Sequence, residues 1–338
     1  MMRPTHVAGW MSLGLAVATI DCGQGQDTIE SETLALASQN AVAFQRSTNV
    51  LWVDQTGPGT GVNTGFQMKP GTVPSQVGVL RFSPFKFGFH GSNGHFWIGE
   101  FGGGATDSNG LMAGGTSPSI SRFSNGNIGF AIQGANGHLW VGSNGPFGGV
   151  DTGGVMAGGS SPSVAAQANG NLAFAIRGAN GHLWMGLNGP FSGVDTGGVM
   201  ASGTNPAVAA TPDGHVIFAI QGANGHLWVG MDGPFSGKDT GFVMRAGTSP
   251  AAAAADSISL TLGYFAFQAL DGHLCVFRQN GNMPFGADDT LIQMAASASP
   301  SIVPTSSGYT TWGKGFNGNL WIATGAGGQK EDQGMAMN

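Results

Sequence analysis

Charge is scarce in this sequence, and its scarcity excludes two classes of partner. Only 9% of the 338 residues are charged, and 12 Lys and Arg stand against 18 Asp and Glu, a formal net charge of −6. Nucleic acid and anionic membranes both select clustered Lys and Arg. We therefore expect neither of them as a partner of this chain.

Cysteine and long apolar runs are equally scarce. The chain has two cysteines, Cys22 and Cys275, and their contexts differ so much that we expect them to be unpaired. No apolar run reaches the roughly 20 residues that a bilayer-spanning helix needs. We predict no membrane span.

The first residues of the chain have the pattern of a secretory signal. Arg3 precedes an apolar stretch, and Ala16-Val17-Ala18 is an A-x-A cleavage pattern. We predict a signal peptide at 1–18, a linker at 19–29 and secretion, against the alternative of an irregular N-terminal tail. Ile20 and Asp21 stand before Cys22, where a lipid-modified cysteine normally follows small residues, so we expect no lipid anchor there.

Glycine is the abundant residue, with 61 of 338 positions, and it accompanies a repeat. A turn with the sequence Asn-Gly-His-Leu-Trp, or a close variant, recurs at steps of 43 to 47 residues. The turn ends at Trp52, Trp97, Trp140, Trp184, Trp228, Cys275 and Trp321. Self-similarity at this period indicates an array of identical supersecondary units.

Two further markers keep the same period. A methionine follows each turn, five residues after an Asp or Asn, and a proline follows each of the first six methionines by six residues. The Asp and Asn positions are Asn63, Asp107, Asp151, Asp195, Asp239, Asp289 and Asp332. We interpret the methionines as core residues and the Asp as caps of Asx turns, on the rim opposite the histidines.

One unit predicts four short antiparallel strands. In residues 162–200 the strands are Ser163–Ala166, Leu172–Arg177, His182–Gly186 and Thr196–Met200, and nothing has helical period. We interpret Asn180-Gly181 as a two-residue type I′ hairpin turn. Seven such units, at 30–68, 74–112, 118–156, 162–200, 206–244, 250–294 and 300–337, predict an all-β, seven-bladed β-propeller of four-stranded blades over residues 30–338.

A polar face beside an aromatic ring is the candidate binding site of each blade. Pairing about a two-residue turn sets Gln133, His138 and Trp140 on one face and Ile132 and Leu139 on the other. Together with small hydroxyls from the connector that follows each methionine, this face suits a sugar, whose C–H face stacks on Trp. The candidate sugar-binding residues are Gln133, His138, Trp140, Arg177, His182, Trp184, Gln221, His226, Trp228, His90, His95 and Trp97. The alternative for each is structural: Trp packs the blades, while His, Gln and Arg hydrogen-bond a neighbouring blade.

The Asn-Gly-His-Leu-Trp turns and the Gly-Thr-Ser-Pro-Ser connectors carry a family resemblance. Across residues 30–338 the chain resembles bacterial seven-bladed propeller lectins of the Photorhabdus lectin type and tachylectin-like repeat propellers. The resemblance implies several weak sugar sites between adjacent blades, with fucose-like sugars among the glycan ligands. Blade 6 departs from the pattern, because Cys275 replaces its Trp.

Two functions from different classes follow. The first is a secreted, multivalent carbohydrate-binding lectin. The second is a non-catalytic protein-interaction or structural propeller, for which the insertion Ser257–Thr261 in blade 6 provides a divergent loop. Near-identical repeats offer no asymmetric catalytic constellation, and one His per blade does not form a metal site. We expect no enzyme activity, no metal and no cofactor, and the sequence carries no indication of oligomeric state.

Overall fold

A computed structural model describes residues 41–54, 61–77, 85–143, 148–187, 193–232, 237–254, 262–280, 283–305, 308–325 and 330–338. They fall within one structural unit, Ser38–Asn338. The predicted signal peptide, the linker, Cys22 and Ser257–Thr261 lie outside the described residues. In the described ranges the chain is all-β, with 27 strands and no helix. These ranges therefore contain no helix that could cross a membrane.

The strands form seven separate antiparallel sheets, one for each predicted blade. In blades 1 to 4 they are β1 (Val42–Gln45), β2 (Val50–Asp54), β3 (Val62–Gln67); β4 (Ser75–Val77), β5 (Lys86–His90), β6 (His95–Glu100), β7 (Ala105–Leu111); β8 (Ser119–Arg122), β9 (Ile128–Gln133), β10 (His138–Gly142), β11 (Val150–Val155); and β12 (Ser163–Ala166), β13 (Leu172–Arg177), β14 (His182–Gly186), β15 (Val194–Val199). Blade 1 has three described strands, and the first strand predicted for it falls before residue 41.

Blades 5 to 7 repeat the order. Their strands are β16 (Ala207–Ala210), β17 (Val216–Gln221), β18 (His226–Met231), β19 (Lys238–Val243); β20 (Ala251–Ala254), β21 (Leu262–Gln268), β22 (His273–Asn280), β23 (Met283–Gln293); and β24 (Ser301–Thr305), β25 (Gly308–Lys314), β26 (Asn319–Thr324), β27 (Lys330–Ala336). The seven-bladed propeller is confirmed. In blade 4 the first three predicted strands match the observed bounds, and the fourth begins two residues earlier, at Val194.

Small residues in the first strands let the blades meet at the centre. The first strands of neighbouring blades pack side by side around a central cavity of about 490 Å³. Serine hydroxyls join them, because each accepts a hydrogen bond from a backbone amide one blade further on. The pairs are Ile120 to Ser75, Val164 to Ser119, Ala166 to Ser121 and Val208 to Ser163.

A second chain of hydrogen bonds runs along the connectors between blades. The amide of one connector donates to a side-chain oxygen of the next, in the order Val73 to Ser117, Ser117 to Ser161, Ser161 to Asn205, Asn205 to Ser249 and Ser249 to Ser299. The connector hydroxyls expected beside a sugar are therefore engaged along this rim. Their role in the observed fold is to fix the spacing of the blades.

The two ends of the described chain meet and close the ring. Met337 forms an isolated β-bridge with Arg46, which is the same link that joins Met112 to Gly134 and Met156 to Gly178. The amide of Asn338 donates to the carbonyl of Gln45 at 3.0 Å. Blade 7 is thus joined to blade 1 as the other blades are joined to their neighbours.

The Asn-Gly hairpin has a different turn from the one predicted. The Gly181 amide donates to the Gly178 carbonyl, and only Gly181, with φ of 81°, is left-handed, whereas a type I′ turn needs positive φ at Asn180 as well. Three residues therefore form the loop, as in a type I turn followed by a left-handed glycine. The extra loop residue shifts the strand register, so that Trp184 pairs with Ile176 and Leu183 with Arg177.

This turn makes Gly181 a sensitive position. Gly181→Ala places a Cβ at positive φ and should lower the free energy of unfolding by about 1 kcal/mol, measured by urea denaturation. Gly158→Ala is the matched control, since an added Cβ there meets no atom within 4 Å and φ is not left-handed. Equal stability of the two variants would contradict the assigned turn.

Candidate functional site

A hydrogen-bonded cluster of four side chains includes the tryptophan of blade 3. The Trp140 Nε1–H donates to Asn136 Oδ1 at 3.3 Å, and Asn136 Nδ2 donates to Asp151 Oδ2 at 2.9 Å. The Nδ1–H of His138 donates to the same carboxylate at 3.0 Å. Because Nδ1 carries the proton in that bond, Nε2 is an acceptor when the imidazole is neutral.

A β-bulge brings Asp151 into this cluster. Strand β11 pairs with β10 at Trp140↔Asp151 and at His138↔Val155, so three residues of β11 stand opposite Leu139 alone. Thr152 Oγ1 donates to the Leu139 carbonyl at 2.9 Å, and the Gly153 amide donates to Asp151 Oδ1 at 2.8 Å. The predicted Asx turn is confirmed. The predicted opposite rims for His and Asp are wrong, because the bulge sets Asp151 of the fourth strand opposite Trp140, in the middle of the third strand.

The cluster recurs around the ring with local substitutions. Blades 2, 4 and 5 repeat it in full, with Asn93, His95, Trp97 and Asp107; Asn180, His182, Trp184 and Asp195; and Asn224, His226, Trp228 and Asp239. In blade 7 Asn319 replaces the His and still donates to Asp332 at 3.1 Å. In blade 1 the guanidinium of Arg46 lies 4.4 Å from the Trp52 ring centre.

Hydrogen bonding holds the cluster carboxylates ionised. The Gly153 amide, followed by His138 and Asn136, lowers the pKa of Asp151 below its usual value, and the same groups in blade 4 lower the pKa of Asp195. Partial burial opposes the shift at Asp107, Asp239 and Asp332. Amide and side-chain hydrogen bonds prevail there, so the pKa values of these three are also lowered.

The long polar residues do not share a face with the tryptophans. Trp140 pairs with Ile132, and Gln133 pairs with Leu139, so the predicted face of Gln133, His138 and Trp140 is wrong by one residue of register. Gln133 is 1% exposed, and its Nε2 donates to the connector carbonyl of Ala157 at 3.0 Å. This arrangement fits the structural alternative, in which Gln ties its blade to the following connector.

Most equivalents of Gln133 make the same link. Gln45, Gln221 and Gln268 donate to the carbonyls of Lys69, Arg245 and Ala295. In blade 2 the Nδ1–H of His90 donates to the Thr116 carbonyl at 2.9 Å, and burial lowers the pKa of His90. Arg177 occupies the position in blade 4; it is half-buried and pairs with Leu183, on the face away from Trp184.

Grooves open between blades where the tryptophans face their neighbours. Between blades 2 and 3 a groove of about 450 Å³ is lined by Trp140, Ile132 and Asn136 together with the β7 segment 108–111. Between blades 3 and 4 a groove of about 500 Å³ is lined by Trp184, Ile176 and Asn180 with the β11 segment 152–155. Of the predicted site residues, Trp140 and Trp184 line these two grooves. His138 and His182 lie beside them, bound to Asp.

Blade 6 lacks the tryptophan. Cys275 is a free, buried thiol, and burial together with Asp289 and Asp271 raises its pKa to about 12. Phe242, from the fourth strand of blade 5, reaches blade 6, where its ring centre lies 5.9 Å from that of Phe267, the strand partner of Cys275, and 5.8 Å from that of Phe277. A phenyl ring from the neighbouring blade thus packs beside the blade that lacks the Trp.

Known proteins share this architecture. No protein-family model matches the chain, and a search of curated proteins finds no match. The structure is similar to a triple arginine-to-alanine mutant of AofleA from Arthrobotrys oligospora, with a TM-score of 0.57, 11% identity and coverage of 86% of this chain and 88% of that one. The chain has the fold of the propeller lectins.

Two further lectins agree with this assignment of the fold. The lectin SapL1, in complex with α-methyl fucoside, matches with a TM-score of 0.52 and 14% identity over 80% of this chain and 97% of that one. Aleuria aurantia lectin, a six-bladed propeller with a fucose recognition mode, matches with a TM-score of 0.50 and 13% identity over 78% and 92%. The resemblance to propeller lectins is confirmed at the level of the fold.

The cluster carboxylates predict a dependence of stability on pH. Their folded pKa values lie below the unfolded value of 3.8, so the stability they contribute is present above that pH and is lost as pH falls through the folded values. Asp151→Asn with Asp195→Asn should flatten the loss of stability between about pH 5 and pH 2, measured by urea midpoints. Asn63 already accepts the equivalent Gly65 amide in blade 1, so the substitution keeps the turn. Parallel pH profiles for wild type and variant would contradict this account.

Proposed function

We propose that this chain is a carbohydrate-binding lectin whose sugars lie in the grooves between adjacent blades. The observation that carries the proposal is the pair of grooves of about 450 and 500 Å³, each with a tryptophan on one wall. Both are large enough for a monosaccharide, since ligand sites typically start near 300 Å³. Their repetition on equivalent residues favours repeated sites for one ligand.

The chemistry of the grooves suits a neutral sugar. Among the residues that the structure describes, those that line the grooves include Trp, Phe, Ile and small side chains, with amide and hydroxyl groups such as those of Asn136 and Ser108 at the edge, and no Lys, Arg, Asp or Glu. The Trp140 Nε1–H is bonded to Asn136, so the indole offers its ring rather than its donor. An apolar C–H face of a sugar stacks on such a ring, while its hydroxyls meet the polar edge.

The ligands of the structural neighbours narrow the class of sugar. SapL1 was solved with α-methyl fucoside, and Aleuria aurantia lectin is described as recognising fucose. We infer that fucose-like neutral sugars are the first ligands to test. A single site would bind with Kd on the order of millimolar, about −4 kcal/mol, and repeated sites on one ring raise the avidity for a glycan-coated surface by roughly 10² to 10⁴.

The same proposal covers the predicted setting of the protein. Residues 1–18 as a signal peptide and 19–29 as a linker would deliver the propeller to the cell exterior, where glycan surfaces are met. Binding rather than catalysis is favoured because the cluster acids stand one to a blade. Glycoside hydrolysis needs two carboxyl groups across one cleft.

A glycan array probed with the full chain tests the proposal, with free monosaccharide as competitor. We expect saturable binding to one class of neutral sugar that millimolar competitor removes. Replacing Trp140, Trp184 and Trp228 together by Ala should abolish binding while circular dichroism still shows a folded β protein. Replacing His138, His182 and His226 together by Ala is the companion variant, and it should retain most of the binding if the histidines only brace the cluster.

The outcome also separates the two classes of function. A blank array from a folded wild-type protein would overturn the lectin proposal and favour the protein-interaction propeller. Binding that survives the loss of all three tryptophans would place the sugar outside the grooves.

A further inference from the structure

The boundaries between adjacent blades differ at one residue of each fourth strand. This residue lies three positions after the Asp or Asn of the Asx turn, on the side that faces the next blade. Around the ring it is Phe66, Gly110, Gly154, Gly198, Phe242, Ile292 and Met335. Glycine therefore occupies it in three consecutive blades and a large apolar side chain in the other four.

Where the residue is glycine, space is open in front of the tryptophan. Across the groove, a Cβ added to Gly154 would meet Ile176 at 4.0 Å, and one added to Gly110 would meet Ile132 at 3.8 Å, both at ordinary contact distance. The nearest atom to each added Cβ is the hydroxyl oxygen two residues earlier in the same strand, at 3.1 Å for Gly110 and 3.2 Å for Gly154 and Gly198. At Gly198 the contacts within 4 Å are with its own blade, at Thr196 Oγ1 and Leu183 Cβ. The residue paired with the Trp is Ile in all three cases: Ile132, Ile176 and Ile220.

Where the residue is large, its side chain packs on the next blade across the groove. Phe66 stacks on Phe89, the partner of Trp97, with ring centres 5.7 Å apart. Phe242 packs on Phe267 in the same way. At these two closed grooves a Phe of the fourth strand faces a Phe of the next blade. At the open grooves a Gly of the fourth strand faces an Ile of the next blade.

The remaining two closed grooves use aliphatic lids. Ile292 is 2% exposed and belongs to the core cluster against which Trp321 packs. Met335 is 5% exposed and lies in the cluster against which Trp52 packs. Both aliphatic side chains thus lie in the core cluster against which the tryptophan of the next blade packs.

Resting on the proposed function, we propose that this position decides which grooves take a sugar. The ring then holds three adjacent sugar sites, on Trp140, Trp184 and Trp228, and four grooves that are closed by their own side chains. The occupant is a single neutral monosaccharide unit for each open groove, because two of the closed grooves hold one phenyl ring at the same position. The three sites lie side by side, which suits neighbouring branches on one glycan surface.

The blades with a closed groove indicate which substitution should close an open one. The same backbone position accepts Phe66 and Phe242, and Gly110, Gly154 and Gly198 are not left-handed, so Gly→Phe at these positions carries no backbone strain. Gly104→Phe is the matched control, since an added Cβ at this exposed glycine meets no atom within 4 Å. Phe66→Gly is the reverse change and uncovers Trp97.

Two readouts on the full chain test whether this fourth-strand position controls access to each groove. Acrylamide quenching of tryptophan fluorescence reports access to the indoles without any sugar. Equilibrium dialysis with methyl α-fucoside, or with the monosaccharide that competes best on the array, counts sites. We expect three sites in the wild type and in Gly104→Phe, two in Gly154→Phe, none in the triple Gly→Phe variant and four in Phe66→Gly, with quenching falling and rising in the same order.

The outcomes separate this inference from the lectin proposal. Two results would show that the fourth-strand position does not select the binding grooves: a folded triple Gly→Phe variant that still binds three sugars, or a wild type that binds seven. Either result would leave the lectin proposal intact. A wild type that takes no sugar overturns both as statements about glycans. If quenching nevertheless falls in the triple variant, the fourth-strand position does control access to the indoles, and the proposed class of ligand is wrong.

Discussion

The β-bulge between the third and fourth strands of each blade is the local feature on which both the ring and the grooves depend. At this bulge an Asp or Asn accepts the amide two residues ahead, in all seven blades. The hydroxyl of the next residue, where it is Ser or Thr, donates to a carbonyl of the third strand, as Thr196 does to Leu183. Because the bulge is anchored by both hydrogen bonds, the fourth strand pairs again with its own third strand in a fixed register, with Val155 opposite His138.

The end of the fourth strand contacts the next blade. Its last residue, a methionine, bridges to the hairpin of the neighbour, as Met156 does to Gly178, and the same contact closes the ring at Met337 and Arg46. The segment between the bulge and the methionine becomes the outer wall of the groove. Ring closure and groove shape therefore have one cause, and a single side chain on this wall can open or fill the groove without disturbing the bridge.

Much of the fold followed from spacing, and the site followed less well. The strands of blade 4 were predicted almost to the residue because Asn-Gly turns and alternating apolar residues mark their ends. The hairpin register was missed because the dipeptide Asn-Gly occurs in both two-residue and three-residue loops, and one extra loop residue turns Gln133 to the opposite face from Trp140.

The proximity of His138 and Asp151 could not be read from spacing either. A bulge that sets three residues opposite one leaves no period in the sequence. It also changes which residue of the third strand lies opposite Asp151. Once the register is known, however, the variable position at Gly154 and Phe242 is visible in the sequence itself. Each large residue falls in the blade before the groove that it closes, so the signal lies in the differences between repeats rather than in their likeness.

The most direct test of the central claim, that sugars lie against the indoles between blades, is a crystal structure of the chain soaked with methyl α-fucoside or the best competing monosaccharide. The account predicts sugar density on the rings of Trp140, Trp184 and Trp228, with the side chains of Asn136, Asn180 and Asn224 at the edge of each site. Density confined to the central cavity or to the rim away from these asparagines, with the three grooves empty, would contradict it.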